Sequence, residues 1–215
     1  MPDLTFTVDG AEPVAHTMTP TIGFRLGISE KSGVAIDAIA LNCQIMIEAT
    51  RRPYADTERE ALLDIFGVPE RWGKTLKTML WTHASMVVPS FNGQTTAELR
   101  VPASFDLSLA ATKYFYALED GHVPLELQFS GTVFHRDADG DLQTAPIPWS
   151  KEAGYRLPVS IWQQLMRELN PDSIMLPLRR DVFDRLYRLR QRRGYGNWER
   201  LIDELMAGAE ETVAP

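Results

Sequence analysis

The stretch Ile39-Ala-Leu-Asn-Cys-Gln-Ile-Met-Ile47 decides the fold, because every second residue in it is apolar. A period of two is typical of a β-strand that buries one face in a core. Cys43 lies on the apolar face, so we expect a buried structural thiol rather than a reactive one. Upstream, Ile36 is out of phase with this set, which predicts a β-bulge near Asp37-Ala38.

Glycine turns separate further segments of this kind. The turn dipeptides are Ser32-Gly33, Asn92-Gly93, Asp120-Gly121 and Asp139-Gly140. Glycine adopts the positive φ angles of tight turns, so each dipeptide predicts a hairpin in an antiparallel sheet. The predicted strands are Ile22–Ile28, Ile39–Ile47, Thr75–Val88, Thr95–Val101 and Leu125–Val133, with Leu142 beginning another. Thr75–Val88 is apolar on both faces, which favours a central position, with Thr95–Val101 paired to it.

Helical signals interrupt the strand pattern and later replace it. Thr57-Glu58-Arg59-Glu60 is a capping-box pattern, and Gly67 is placed to end that helix. Phe105, Leu107 and Leu109 predict the start of another strand, and the pattern loses phase at 110–114, where a bulge and a helix both fit. After about residue 157 the apolar period becomes that of a helix. The C-terminal helices are predicted over Ile161–Leu169, over Val182–Tyr187 with an end at Gly194, and over Trp198–Leu205 behind an Asn197 cap.

These patterns predict an α+β fold. We expect an antiparallel β-sandwich or strongly curled sheet of about seven to nine strands, with C-terminal helices packed against it. Residues 1–207 are predicted to be a single domain, mainly β over 1–149 with one inserted helix, and helical over 158–207. Residues 208–215 are predicted to be a flexible tail.

Composition limits the compartment and the class of partner. The 215 residues carry a net charge of −7, which disfavours broad attraction to nucleic acid or anionic lipid. Cys43 is the only cysteine, so no disulfide can form within the chain. The first residues lack the pattern of a signal peptide, and no apolar run is long enough for membrane insertion. We therefore expect a cytoplasmic protein.

Motifs for cofactors and metals fail on their spacing. Gly73-Lys74-Thr75 has the wrong glycine spacing for a phosphate-binding loop and follows a helix rather than a strand. Asp137, Asp139 and Asp141 place Gly140 at the fourth rather than the sixth position of a calcium loop. No two of the four histidines lie within four residues of each other, so no local zinc pair exists. We expect no cofactor, no metal and no catalytic residue.

A cluster of arginines stands out against the acidic balance. Residues 179–193 contain seven arginines and only two aspartates. Six of them are predicted partner-binding residues: Arg179, Arg180, Arg185, Arg188, Arg192 and Arg193. The planar guanidinium suits carboxylates, so this helix predicts a docking surface for an acidic partner or for an acidic face of a second copy in a homo-oligomer. A solvated helix face is the structural alternative.

An enzyme or a small-ligand protein is the rival interpretation. Trp81 and His83 are two residues apart on one predicted strand, so they would share a face and line a pocket between sheet and helices. Histidine titrates near neutral pH and is the usual base where one is needed. A deep polar pocket with a carboxylate within hydrogen-bond reach of His83 would support this alternative.

Five segments of the chain carry a resemblance to a known family: Ala40–Ile45, Val68–Gly73, Trp81–Ala84, Phe129–Phe134 and Ala145–Trp149. They resemble an uncharacterised bacterial family that is encoded beside high-affinity [NiFe] hydrogenases. A weaker architectural likeness, around Pro171–Gly194, is to the export chaperone SecB. The first resemblance implies a non-catalytic accessory or assembly protein whose partner is a hydrogenase subunit or maturation factor. The second implies a client-holding chaperone.

Overall fold

The alternating segments form strands of two antiparallel sheets in a computed structural model, which describes residues 2–103, 109–169 and 178–213. The strands are β1 (Leu4–Pro13), β2 (Thr21–Glu30), β3 (Ile36–Ile47), β4 (Met79–Val88), β5 (Gln94–Pro102), β6 (His122–Arg136), β7 (Leu142–Pro146) and β8 (Glu152–Pro158). The helices are α1 (Asp56–Ala61), α2 (Leu63–Phe66), α3 (Trp72–Thr75), α4 (Leu109–Tyr116), α5 (Val159–Leu169), α6 (Arg180–Arg193) and α7 (Trp198–Val213). Short 3-10 helices lie at Ala49–Arg51 and Pro69–Arg71.

The chain divides into two units, residues 1–171 and 172–215. In the first unit, a three-stranded sheet has the order β1-β2-β5, and a larger sheet has the order β4-β3-β6-β7. The long strand β6 pairs with β7 near its end and with β8 near its start. The α+β class with antiparallel sheets is thus confirmed, with eight strands among the described residues. The second unit contains α6 and α7, and the single domain over 1–207 stays a prediction.

The core lies between the inner faces of the two sheets. The alternating residues of β3 are buried as predicted, and so is the set Ile22, Phe24, Leu26 and Ile28 on β2. Phe6 of β1 stacks on Phe129 of β6 with ring centroids 4.3 Å apart. Each large side chain buried in this way stabilises the fold by about 1.5–3 kcal/mol. The predicted bulge is confirmed, because the β3–β6 register shifts between Ile36 and Ala38.

The turn glycines have the predicted backbone but mostly not the predicted partners. Gly33, Gly93, Gly121 and Gly140 all have positive φ. Only the Asp139-Gly140 turn joins two strands that pair with each other, β6 and β7. The turns at Gly33 and Gly93 lead from one sheet to the other, and Gly121 links α4 to β6. The hairpins predicted at the other three turns were wrong. A positive φ angle lets the chain reverse its direction, but it does not determine which strand the next strand pairs with.

A buried carboxylate fixes the first crossing between the sheets. Glu30, at the end of β2, accepts hydrogen bonds from the backbone N–H groups of Ser32 (2.9 Å), Gly33 (2.8 Å), Val34 (3.0 Å) and Asp3 (2.8 Å). The Ser32 hydroxyl donates another, at 2.5 Å. Burial works against ionisation, but these donors prevail and lower the pKa of Glu30 to about 2. An ionised Glu30 therefore holds the loop that carries the chain across the core.

Several of the predicted elements need correction. The strand predicted over Thr75–Val88 begins at Met79, behind α3, and β4 is an edge strand paired with β3 rather than with β5. The inserted helix begins at Asp56, and the capping carboxylate is Glu58, which accepts from the Ala55 N–H. The strand predicted from Phe105, Leu107 and Leu109 is wrong at Leu109, which begins α4. Residues 110–114, where a bulge and a helix both fitted, are helical. Phe105 and Leu107 lie outside the described residues.

The C-terminal helices begin close to where the period changes. α5 starts at Val159 and packs on the core, where the Trp162 ring stacks on Phe115 at 5.6 Å. Gly194 ends α6 in the left-handed conformation. Asn197 Oδ1 caps α7 by accepting from the Arg200 N–H at 3.3 Å. α7 runs to Val213, beyond the start of the predicted tail.

Candidate functional site

Helix α6 carries the arginine-rich segment, in the second unit. Arg179 immediately precedes the helix in an extended conformation and pairs with Asp181 at 3.2 Å. Arg193, in the last turn, forms an ion pair with Glu204 of α7. Both arginines belong to the set predicted to bind a partner, and both already have a carboxylate partner inside this unit.

The other arginines of the predicted set point their charge to solvent. Arg185, Arg188 and Arg192 follow one another at spacings of three and four, so they share one face of the helix, which we call the arginine stripe. These three and Arg180 are exposed and form no ion pair with any described residue. Guanidinium groups arranged in this way can each bind a carboxylate in bidentate fashion.

Aromatic side chains join α6 to the start of α7. The Trp198 ring lies 5.4 Å from Phe183 and 6.3 Å from Tyr187, measured between centroids. The Arg190 guanidinium lies over Trp198, 4.4 Å from its centroid, in a cation–π contact. Arg190 is thus held within the unit by its contact with Trp198.

Trp81 and His83 lie on opposite faces of β4. Trp81 is buried in the core, whereas His83 is exposed on the outer face of the sheet. The cause is a bulge: Ile45 pairs with Thr82 and Met46 with Leu80, so Trp81 is an extra residue that inverts the alternation. The prediction that the two residues share a face is therefore wrong.

His83 belongs to a row of polar side chains on the outer face of the larger sheet. Its Nε2 lies 3.2 Å from Gln44 Oε1. Gln44 Nε2 donates to Gln128 Oε1 at 3.4 Å, and Gln128 Nε2 donates to Glu126 Oε1 at 2.5 Å. Two amides thus separate His83 from the carboxylate of Glu126. An acid–base role would favour a carboxylate hydrogen-bonded directly to His83. Within the described residues, His83 forms no hydrogen bond with a carboxylate.

A shallow cavity of about 240 Å³ lies on the outer face of the three-stranded sheet. Gly10, Gly23 and Thr96 line it, and so do Arg25 and Glu98. Gly10 leaves room for the Arg25 guanidinium, because a Cβ there would lie 2.8 Å from Arg25 Nη2. The cavity is far from being an enclosed pocket, and its mixed charges select no single ligand class.

Trp149 is the most exposed aromatic side chain of the structure's described part, at 92% exposure. It lies in the loop between β7 and β8 and ends the Ala145–Trp149 segment quoted above. Exposed tryptophan is uncommon on free surfaces and enriched at protein interfaces. Sequence reasoning placed no functional role here, although the prolines on either side of Ile147 indicated an irregular loop.

A buried ion pair ties the 3-10 turn at Ala49–Arg51 to the start of β6. Arg52 Nη2 donates to Glu58 Oε1 at 2.5 Å, and the two side chains are only 6% and 3% exposed. Arg52 also donates to the carbonyl oxygens of Asp120 (3.0 Å) and His122 (3.1 Å). Glu58 accepts from the Glu119 N–H at 3.0 Å. Apart from Arg52 Nε, the buried polar atoms of this pair are hydrogen-bonded within the chain, so the pair serves the fold.

Other buried titratable groups are also committed to structure. The Tyr54 and Tyr114 hydroxyls lie 2.8 Å apart, and Tyr54 donates to the Ala49 carbonyl at 2.7 Å. Burial raises the pKa of both phenols, so both stay protonated. Cys43 is buried as predicted, and burial raises the pKa of its thiol to about 12.

The acidic hairpin tip is organised by its own backbone. Asp137 accepts from the side chain of Gln143 at 2.7 Å and from the N–H groups of Asp141 (2.9 Å) and Asp139 (3.1 Å). These hydrogen bonds, that of Gln143 first, lower the pKa of Asp137. Over residues 2–103, 109–169 and 178–213, no group of three His, Cys, Asp or Glu side chains is placed to hold a metal ion. In the same ranges, no helix is long and apolar enough to cross a bilayer.

Comparison with known proteins places the chain in a family. A family model described as "Family of unknown function (DUF6084)" matches residues 1–214. The chain belongs to this family. No curated protein matches this DUF6084 chain. Among solved structures, a β-glucosidase from Kluyveromyces marxianus matches with 10% identity and a TM-score of 0.28, over 72% of this chain and 15% of its own length. A likeness at that level carries no argument on fold or function.

The DUF6084 chain thus brings together part of what its sequence predicts. Five of the six predicted arginines lie on α6, and three of them form the stripe, which makes no ion pair with any described residue. Trp81 and His83 are separated by the thickness of a sheet. The surface feature that sequence reasoning missed is Trp149, since an isolated tryptophan in a loop has no periodicity to indicate whether it is exposed.

Proposed function

We propose that this chain is a non-catalytic accessory protein that binds an acidic surface of a protein partner through the arginine stripe of α6. We further propose that the partner is a [NiFe] hydrogenase subunit or maturation factor, met in the cytoplasm. The resemblance of Ala40–Ile45 and the other quoted segments supports the choice of partner. The guanidinium groups of Arg185, Arg188 and Arg192, which are exposed and form no ion pair within the described part of the chain, support the mode of binding.

The distribution of charge favours a protein partner over nucleic acid. Residues 172–215 contain eight arginines and eight acidic residues, so the net charge of −7 lies on residues 1–171. A polyanion that approached the arginine stripe would be repelled by the rest of the chain. A folded partner with a local acidic patch can contact the stripe alone and keep its remaining surface distant.

The test is affinity capture from the native host with matched charge reversals. The stripe variant carries Arg185→Glu, Arg188→Glu and Arg192→Glu. The control carries Arg71→Glu, Lys74→Glu and Lys77→Glu, three exposed cations that likewise form no ion pair among the described residues. Both variants change the net charge equally, so non-specific electrostatics is matched.

The expected result is that wild type and control recover a hydrogenase subunit or maturation factor, and that the stripe variant does not. With the purified partner, we expect the stripe variant to bind at least about tenfold more weakly, a loss of 1.4 kcal/mol or more. The wild-type affinity should fall as salt is raised. Recovery of the same proteins by the stripe variant, or of neither class by wild type, would overturn the proposal.

A further inference from the structure

We propose that two copies of this chain associate through α6 and α7 in a two-fold symmetric dimer. The contact uses the apolar side of these helices, so it goes beyond the partner-binding role of the arginine stripe. In a two-fold symmetric dimer, each contact from α6 of the first copy to the second copy is repeated from α6 of the second copy to the first. The dimer thus places α6 of each copy against α7 of the other.

The first observation is apolar surface that the helices leave uncovered. Helix α6 has no buried residue, and Leu201 is the single buried residue of α7 among its described side chains. The exposed large apolar side chains, here called the apolar face, are Phe183 and Tyr187 on α6 and Ile202, Leu205 and Met206 on α7. Amphipathic helices of this kind are stable chiefly when their apolar side is buried.

The second observation is that the two helices carry opposite charge. Helix α6 has six arginines and two aspartates. The three stripe arginines lie on the opposite side of the helix from Phe183, so Arg180, Arg190 and Arg193 are the cations on the side of the apolar face. Residues 198–208 of α7 have three acidic residues and one arginine, a net charge of −2. The Arg193–Glu204 ion pair shows that these side chains match each other in reach and chemistry.

These charges identify the occupant of the apolar face. An acidic partner that covered it would be repelled by α7, and a basic partner would be repelled by α6. A second copy presents an acidic helix to α6 and a basic helix to α7 at the same time. Self-association is therefore the pairing that satisfies both helices with one surface.

The first test is the mass of the full chain in solution. Sedimentation velocity should give about twice the monomer mass of 24.3 kDa. Ile202→Asp with Met206→Asp places charges in the apolar face and should raise the dissociation constant at least about tenfold. The control is Leu142→Asp on β7, because Leu142 and Met206 are similarly exposed, at 58% and 55%. The control should remain dimeric.

The second test uses charge and needs no apolar substitution. One variant carries Arg180→Glu on α6, and the other carries Glu199→Arg on α7, so that the Arg193–Glu204 ion pair within each chain stays intact. Alone, each variant presents like charges to its own copy and should be monomeric. Mixed in equal amounts, they present opposite charges and should form a mixed dimer, detected by labelling one variant with a fluorophore.

The outcomes separate this inference from the proposed function. A wild type that stays monomeric at tens of micromolar, or variants that dimerise alone as well as they do when mixed, would overturn the dimer. So would a monomer that holds unfolded clients at the apolar face, as a chaperone would. The apolar-face variants keep the arginine stripe intact. If they lose the dimer and still capture the partner, both proposals are supported.

Discussion

The buried ion pair between Arg52 and Glu58 gives the sharpest stability prediction. We consider Glu58→Gln, which keeps the shape of the side chain and removes its charge. Arg52 is then left almost fully buried without a counter-ion, and the new amide NH₂ competes with the Ala55 N–H that Glu58 now accepts from at 3.1 Å. The Arg52 Nε already has no hydrogen-bond partner in the described part of the chain, so Arg52 has no other contact that could replace its lost ion pair.

Breaking a buried pair by removing one partner costs about 3–5 kcal/mol. For a chain of this size, each kcal/mol lowers Tm by roughly 2–4 °C, so we expect a decrease of about 10 °C. Urea unfolding followed by tryptophan fluorescence, with a thermal melt beside it, measures both quantities. The matched control is Asp56→Asn, which breaks the exposed pair with Arg59 on the same helix and should cost less than about 1 kcal/mol.

A second variant distinguishes the ion pair from simple loss of packing. Arg52→Met with Glu58→Leu removes both charges and should recover the part of the loss that comes from the unpaired charge. The backbone groups that Arg52 and Glu58 hydrogen-bond still lose their partners, so the double variant should remain less stable than wild type. If Glu58→Gln unfolds within about 1 kcal/mol of wild type, water reaches the site and the pair is not the structural contact described above.

Three further predictions follow from single groups. Because the pKa of Glu30 is lowered from 4.5 to about 2, its ionised form stabilises the fold above pH 4.5 and that contribution is lost as the pH falls toward 2. Glu30→Gln should flatten the pH dependence of the unfolding midpoint over this range; an unchanged slope would contradict the role of Glu30. Gly131→Ala should destabilise by about 3 kcal/mol or more, because φ is +136° and the Cβ would lie 2.0 Å from the Ala40 carbonyl oxygen. Gly154→Ala, with its nearest atom at 4.0 Å, should be nearly neutral in the same melt, and equal effects would refute the steric argument. The Cys43 thiol, with its pKa raised to about 12, should resist a thiol reagent at pH 8 until urea unfolds the chain, whereas rapid native labelling would show that it is accessible.

The burial pattern of the sheets could be predicted from the sequence, because burial of one face imposes a period of two. The alternation on β2 and β3 identified the core residues, and the phase break at Ile36 located the bulge. Strand β1 was missed even though Leu4, Phe6 and Val8 alternate. Its signal is interrupted where the register shifts between Val8 and Gly10, so the run was too short to stand out.

Strand partners and the site needed the three-dimensional structure. Alternation states which face is buried and says nothing of which strand lies alongside, so Gly33 and Gly93 were read as hairpins. One bulged residue, Trp81, was enough to move His83 to the outside of the sheet. By contrast, the arginine stripe on α6 follows from helical spacing alone, because all its members lie on one continuous element.

The crossings between the sheets have a consequence for how the chain is made. Ser29 on β2 pairs with Gln94 on β5, and Ile47 on β3 pairs with Leu125 on β6. During translation, β3 therefore has no neighbour on its β6 side until most of the first unit has left the ribosome. Pairings this distant in sequence slow folding and leave apolar strands exposed meanwhile. We expect the nascent chain to depend on general chaperones more than a protein of equal size built from successive hairpins.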